Sequence, residues 1–193
     1  MIYQEYVKRG FDFIVAAAGL VVVCVPVALA MVTIWFSSPG PVFFMQTRIG
    51  RSGRRFAILK LRTMTVNPAR QVAQTDNSDP EVFFVGKILR RLKIDELPQL
   101  WNILRGDMSL VGPRPCLEET SNEMPAWARQ RFAVRPGITG LAQVHGNIAL
   151  SWEERWAYDV EYVKKLSLLL DFAIICKTAI VVLLGEERYK KPL

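Results

Sequence analysis

Residues Phe13 to Phe36 read FIVAAAGLVVVCVPVALAMVTIWF, a run of 24 residues without a charged side chain. That length suffices to cross a bilayer as a helix. The run is too long for the apolar core of a signal peptide, and no A-x-A cleavage site follows it. It is also longer than a domain of this size buries as a soluble helix. Pro26 sits mid-run, where it removes a backbone hydrogen bond and kinks the helix. Lys8 and Arg9 precede the run; Arg48, Arg51, Arg54, Arg55, Lys60 and Arg62 follow it. Basic flanks favour the cytoplasmic side, and one crossing cannot put both flanks there. A helix–break–helix hairpin that enters and leaves by one face can, at the cost of carbonyls freed at Pro26 inside the lipid. The expectation is a re-entrant membrane hairpin over residues 1–37 and a domain on the membrane surface over residues 38–193.

The chain has 193 residues, enough for a core of its own. Lys and Arg number 25 against 18 Asp and Glu, for a formal net charge of +7. Apolar residues make up 51% and the mean hydropathy is +0.17, which excludes a disordered chain. Three spaced cysteines fit neither a disulfide framework nor a CxxC metal site. The single histidine, His145, excludes a multi-histidine metal site and argues against a Ser/His/Asp triad. Acid–base or metal chemistry therefore falls to carboxylates.

Ser38-Pro39-Gly40-Pro41 reads as the turn that ends the hairpin. Val42 to Gln46 and Phe56 to Leu61 read as two short strands joined through Gly50 and Gly53. The six basic and no acidic residues from Arg48 to Arg62 suit anionic lipid or a phosphate. No aromatic platform accompanies them, which argues against nucleic acid. Asn67 to Glu81 reads as a polar loop, with Asp76, Asp79 and Pro80. Helices are expected over Lys87–Leu92, Asp95–Leu104, Glu118–Phe132 with Pro125 interrupting, and Ser151–Lys165. The last has capping-box spacing between Ser151 and Glu154. Leu166 to Leu184 is apolar, but Asp171 and Lys177 make a crossing costly. A helix on the membrane surface or packed on the domain is preferred, before a charged end at Glu186, Glu187, Arg188, Lys190 and Lys191. The fold class is α+β and mostly helical: a re-entrant hairpin, a short β-hairpin and amphipathic surface helices.

Asp95-Glu96 is the main chemical candidate. Such pairs commonly just start a helix. Here the pair follows Lys87, Arg90, Arg91 and Lys93 and lies among Ile94, Leu97, Leu100 and Trp101. An ionised carboxylate there can act as a nucleophile or hold Mg2+, with its neighbour as base or support. Arg114 lies between Pro113 and Pro115, and Arg135 precedes Pro136; proline restrains the backbone that aims each guanidinium at a phosphate or carboxylate. A surface ion pair is the equal alternative for each. A lone loop histidine such as His145 is more often structural.

These residues resemble the bacterial sugar transferase family, the monotopic polyprenyl-phosphate phosphoglycosyltransferases. The matching stretches are Lys8-Arg9 with Phe11-Asp12, Ser38 to Pro41, Lys60 to Met64, Ile94 to Leu100, Gly106 to Ser109, Val111 to Pro115, Arg135 to Val144 and the Asp171 helix. They run in order over almost the whole chain, whose length matches the minimal catalytic form. The resemblance implies a re-entrant helix and a catalytic domain on the cytoplasmic face of the bacterial inner membrane. It implies transfer of a phospho-sugar from a UDP-sugar to polyprenyl phosphate, with release of UMP. Asp95 would be the nucleophile, form a phosphosugar–aspartyl intermediate and sit beside Mg2+. Glu96 would be its partner, and Lys60, Arg62, Arg90, Arg114 and Arg135 would contact substrate phosphate. Gln143, His145 and Asn147 would lie in the nucleotide-sugar loop, and Pro26 at the helix break. Membrane lipid is a further partner, and a homodimer is left open. Two positions depart from the family: Val25 stands where many members have Ser, and His145 where Asn is frequent. A non-catalytic membrane-surface module, and a lipid kinase or phosphatase, are the competing readings. The kinase lacks a P-loop motif here.

Overall fold

A computed structural model describes residues 3–66 and 79–184. Most of the loop expected over Asn67–Glu81 and the charged end from Glu186 to Lys191 lie outside the described residues. The chain is mostly helical, with one long apolar N-terminal helix. That helix, α1, spans Lys8–Ser37 after one π turn at Tyr3–Val7. It is a single assigned element that runs through Pro26, rather than the two separate helices expected from the sequence.

One stripe of α1 faces the rest of the molecule. Lys8, Asp12, Ala16, Ala30 and Ile34 are buried, and Leu20, Val23, Val27 and Met31 are partly buried between them. These positions recur every three or four residues and so share one helix face. The first half packs on Ile58, Leu100, Ile103 and Met108; the second half packs on Leu61 and Leu89. The opposite face, with Val21, Val22, Val25, Leu29, Trp35 and Phe36, is exposed. Only 11% of the most apolar 18-residue window is buried, too little for the core helix of a soluble domain.

Both ends of α1 are bonded to the domain. Lys8 Nζ lies 2.6 Å from Asp171 Oδ2 in a buried ion pair, and Tyr3 and Tyr162 donate to the same carboxylate at 2.6 and 2.7 Å. At the far end, Arg62 donates to the Ser38 carbonyl at 2.6 Å and the Pro39 carbonyl at 2.7 Å.

Two strands, β1 (Phe43–Ile49) and β2 (Arg55–Leu61), form an antiparallel hairpin with Arg48 opposite Phe56 and Phe44 opposite Lys60. The tight turn between them places Ser52 and Gly53 at positive φ. The strand expected to stop at Gln46 thus continues through Ile49. The free edge of β2 is closed by Asn102, whose side chain accepts from Leu59 N–H at 3.0 Å and donates to the Ala57 carbonyl at 2.8 Å. An unpaired strand edge would leave those groups unsatisfied beneath the helix.

Helix α2 (Phe84–Arg91) approaches the end of β2 closely. A Cβ at Gly86 would stand 2.2 Å from the Thr63 carbonyl oxygen, so glycine is required there. Lys93 adopts a left-handed conformation and leads into a 3-10 turn at Ile94–Glu96, followed by α3 (Gln99–Arg105). Asp95 and Glu96 therefore occupy a tight turn ahead of α3, not the first turn of one longer helix. Strand β3 (Ser109–Val111), helix α4 (Glu118–Asn122), a 3-10 stretch at Ala126–Ala133 and strand β4 (Gly137–Thr139) follow. β3 and β4 pair in parallel. The expected helix over Glu118–Phe132 is divided at Pro125, its N-terminal part α-helical and its C-terminal part 3-10. Helix α5 (Trp152–Lys165) starts with the Ser151–Glu154 capping box that its sequence signals. Helix α6 (Leu168–Leu184) packs Ile174 into a core with Val111, Val144, Tyr158 and Tyr162.

Candidate active site

β2, the 3-10 turn and the Pro113–Pro115 loop converge on Glu96. Lys60 Nζ lies 2.6 Å from Glu96 Oε1, and Arg114 Nη2 donates to the same oxygen at 2.9 Å. Burial alone would raise the Glu96 carboxyl, but Arg114 and Lys60 overturn that effect and hold it well below the usual carboxylate range. Burial pushes the Lys60 ammonium down, while Glu96 pulls it back.

Asp95 is in a different state. It is 7% exposed, and its Oδ1 has no hydrogen-bond partner among the described residues. Burial and the adjacent Glu96 charge push its pKa up to about 6, against the pull of Lys60, Lys93 and Arg90. A buried carboxylate oxygen without a partner costs free energy, so it is a place where an incoming group gains. Arg90 reaches this region from the last turn of α2, with Nε donating to Thr63 Oγ1 at 2.8 Å.

The remaining residues named from the sequence go to different places. Arg62 is buried and spends its guanidinium on the turn at Ser38 and Pro39. Arg135 donates from Nε to the Gly106 carbonyl at 3.0 Å and feels the charges of Arg51, Arg9 and Glu5. It stands with the start of α1 rather than with the Lys60–Glu96–Arg114 group. Arg51 and Arg55 form ion pairs with Glu5 and Glu118. The six-residue basic run thus divides among several tasks.

Gln143 is buried and donates to the Ile138 carbonyl at 3.0 Å. His145 stacks on Tyr158 with centroids 4.8 Å apart, its Nδ1 is 2.8 Å from the Leu141 carbonyl, and Lys177 Nζ is 2.9 Å from its Nε2. These contacts fix the ring between the Leu141 carbonyl and Lys177. Asn147 is buried at φ 44° and its N–H donates to the Ala142 carbonyl. These three residues hold the loop together and tie it to α5 and α6.

Arg131 and Asp159 went unread in the sequence. They form a buried ion pair at 2.8 Å, and Arg131 Nη2 donates to the Arg114 carbonyl at 2.6 Å. The pair fixes the backbone that aims Arg114. Nothing in the local sequence marks it, because its two halves lie on separate elements.

No group of three metal-ligating side chains occurs among the described residues. Mg2+ does not need one, since it is commonly held by one or two carboxylates together with substrate phosphate and water. The unpartnered Asp95 Oδ1 fits such a ligand.

Comparison with known proteins places the chain in a family. The family described as Bacterial sugar transferase matches residues 3–185. The chain is 38% identical over 198 aligned positions to the exopolysaccharide production protein ExoY of Sinorhizobium fredii, covering 94% of this chain and 88% of that protein. It is 44% identical to the UDP-glucose:undecaprenyl-phosphate glucose-1-phosphate transferase of Caulobacter vibrioides, covering 94% of this chain and 72% of the relative. It is 41% identical to the UDP-N-acetylgalactosamine-undecaprenyl-phosphate N-acetylgalactosaminephosphotransferase of Aeromonas hydrophila, with 93% of this chain aligned but only 44% of that relative's length. The chain belongs to the bacterial sugar transferase family.

Proposed function

We propose that the protein transfers a sugar phosphate from a UDP-sugar to polyprenyl phosphate, with Asp95 as nucleophile. The observation that carries this reading is the buried Asp95 carboxylate, whose Oδ1 has no partner among the described residues and which feels the charges of Lys60, Lys93 and Arg90. A carboxylate oxygen of Asp95 attacks the β-phosphorus of the donor, the bond to the bridging oxygen breaks, and UMP leaves with that electron pair. A phosphate oxygen of the lipid then attacks the same phosphorus, and Asp95 departs as a free carboxylate. A nucleophilic carboxylate can approach a diphosphate only where cations offset both charges. Lys60, Arg90 and Arg114 supply them here. With a pKa of about 6, Asp95 is raised but still mostly ionised at pH 7. Glu96 is held by two cations and is a poor base in this state, so its role is to hold Lys60 and Arg114 in place. Mg2+, held by Asp95 together with the donor diphosphate, would screen the charge gathered on the phosphates.

We also place α1 in the membrane as a re-entrant helix, with the domain on the cytoplasmic face. A crossing helix puts its ends about 30 Å apart on opposite sides of the hydrocarbon. Here Lys8 at one end and Ser38 at the other are both bonded to one domain. Pro26 lies on the exposed face, and its ring opens the helix on that side, which favours a bend toward the domain. A non-catalytic membrane module would have no use for a buried, raised carboxylate.

The test is UMP release from a panel of UDP-sugars, with purified protein, Mg2+ and polyprenyl phosphate. Wild type is expected to release UMP from at least one donor and Asp95→Asn from none. Release by the variant at the wild-type rate would remove Asp95 as nucleophile.

A further inference from the structure

Arg48 belongs to none of the structural tasks that absorb its basic neighbours. In the β1–β2 register it faces Phe56, two pairs along from Gln46–Ile58 and four from Phe44–Lys60. Directly paired residues and those two apart share a sheet face. Arg48, Gln46 and Lys60 therefore project from the same side of the hairpin. Arg48 Nη2 donates to Gln46 Oε1 at 2.6 Å, which fixes the guanidinium along the strand. Its Nε is buried with no hydrogen-bond partner among the described residues.

The next residue, Ile49, bridges Cys116, with Ile49 N–H donating to the Cys116 carbonyl at 2.9 Å. Cys116 is two residues beyond Arg114. This bridge sets Arg48 beside the Arg114 loop, and the two guanidiniums feel each other's charge. Glu96 and Glu119 are carboxylates that act on Arg48. Arg48 thus brings a second guanidinium, with an unfilled buried N–H, to the Arg114 side of the site.

We infer that Arg48, oriented by Gln46, binds the α-phosphate of the donor, the phosphate that leaves in UMP. This rests on the proposed reaction. Asp95 must meet the β-phosphate, and the α-phosphate, joined to it by one bridging oxygen, is the group left for the unfilled Arg48 donor beside the Arg114 loop.

The test uses the full chain in detergent or nanodiscs and UMP as the probe. UMP affinity, donor KM, kcat and Tm are measured for wild type, Arg48→Ala, Arg48→Lys, Gln46→Ala and Gln46→Ala/Arg48→Ala. Arg55→Ala, whose partner Glu118 is outside the site, is the control. Loss of a charge-assisted contact is expected to weaken UMP binding about 10- to 100-fold in Arg48→Ala. Donor KM should rise in parallel, with Tm unchanged. Lysine should restore only part of the affinity, because it lacks the guanidinium fork. Gln46→Ala should weaken UMP binding in the wild-type background and do nothing further once Arg48 is gone. Unchanged UMP affinity in Arg48→Ala, in a wild-type enzyme that turns over, would overturn the inference and leave the reaction standing. A Tm loss that accounts for the weakened binding would assign Arg48 a structural role instead. Wild type that neither binds nor releases UMP would overturn the reaction and this inference together.

Discussion

Glu96 raises the pKa of Asp95 while two cations keep Glu96 itself ionised. The pH dependence follows from that asymmetry. Asp95 is reactive only when ionised, and its pKa is raised, so activity is lost as pH falls through about 6. A profile of kcat/KM against pH should show an acid limb there. Glu96→Gln removes a like charge next to Asp95 and frees Lys60 and Arg114 to act on it. Both effects lower the Asp95 pKa, so the acid limb should move to lower pH although turnover falls. A limb that stays in place would separate it from Asp95. The acid pair Asp95-Glu96 among cations and the proline-flanked Arg114 are local signals in the sequence, whereas Lys60 and Arg90 were named as phosphate contacts only through the family resemblance; the structure brings Lys60 and Arg114 onto Glu96. Arg62 was not separable from them by sequence: its bonds run to Ser38 and Pro39, a contact the chain makes only once α1 is in place. Arg48 was hidden for the opposite reason, since a strand read as ending at Gln46 leaves it in a connection with no defined face.

Elements with a strong local code were read closely. The capping box fixed the start of α5, and the Gly50–Gly53 turn located the hairpin. The region around Asp95 was read less well, because Lys93 at positive φ and Pro98 divide what looks like one amphipathic helix into a turn and a short helix. Two positions hold these elements to the hairpin. Asn102→Ala removes both partners of the β2 edge and leaves the Leu59 N–H and Ala57 carbonyl unpaired. The expected loss is about 1–3 kcal/mol, measured by thermal or denaturant unfolding. Wild-type stability in that variant would mean the edge is satisfied another way. Gly86→Ala puts a methyl against the Thr63 carbonyl, and α2 must shift outward and carry Arg90 with it. Activity should fall more than membrane attachment; equal loss of both would count against a site role for this contact.

At the scale of the molecule, the charge and Pro26 pointed to a helix that does not cross, and the proposed re-entrant placement draws on packing that the sequence pattern does not show. Lys8, Asp12, Ala16, Ala30 and Ile34 make a continuous packed stripe, and the same domain takes hold of both ends. Asp171, costly in an apolar helix, is accounted for by Lys8, Tyr3 and Tyr162. With the native cysteines Cys24, Cys116 and Cys176 replaced, single cysteines at exposed Tyr6 and exposed Thr47 should both be labelled only from the cytoplasmic side. Labelling from opposite sides would make α1 a crossing helix. The reaction itself is tested most directly without the lipid acceptor, using a UDP-sugar labelled in its β-phosphate and a donor the enzyme is known to turn over. The two-step account predicts about one equivalent of UMP per active enzyme and label retained on the peptide that carries Asp95, with neither in Asp95→Asn. UMP that forms only after polyprenyl phosphate is added, with no label on the protein, would contradict it and leave direct transfer between the two substrates.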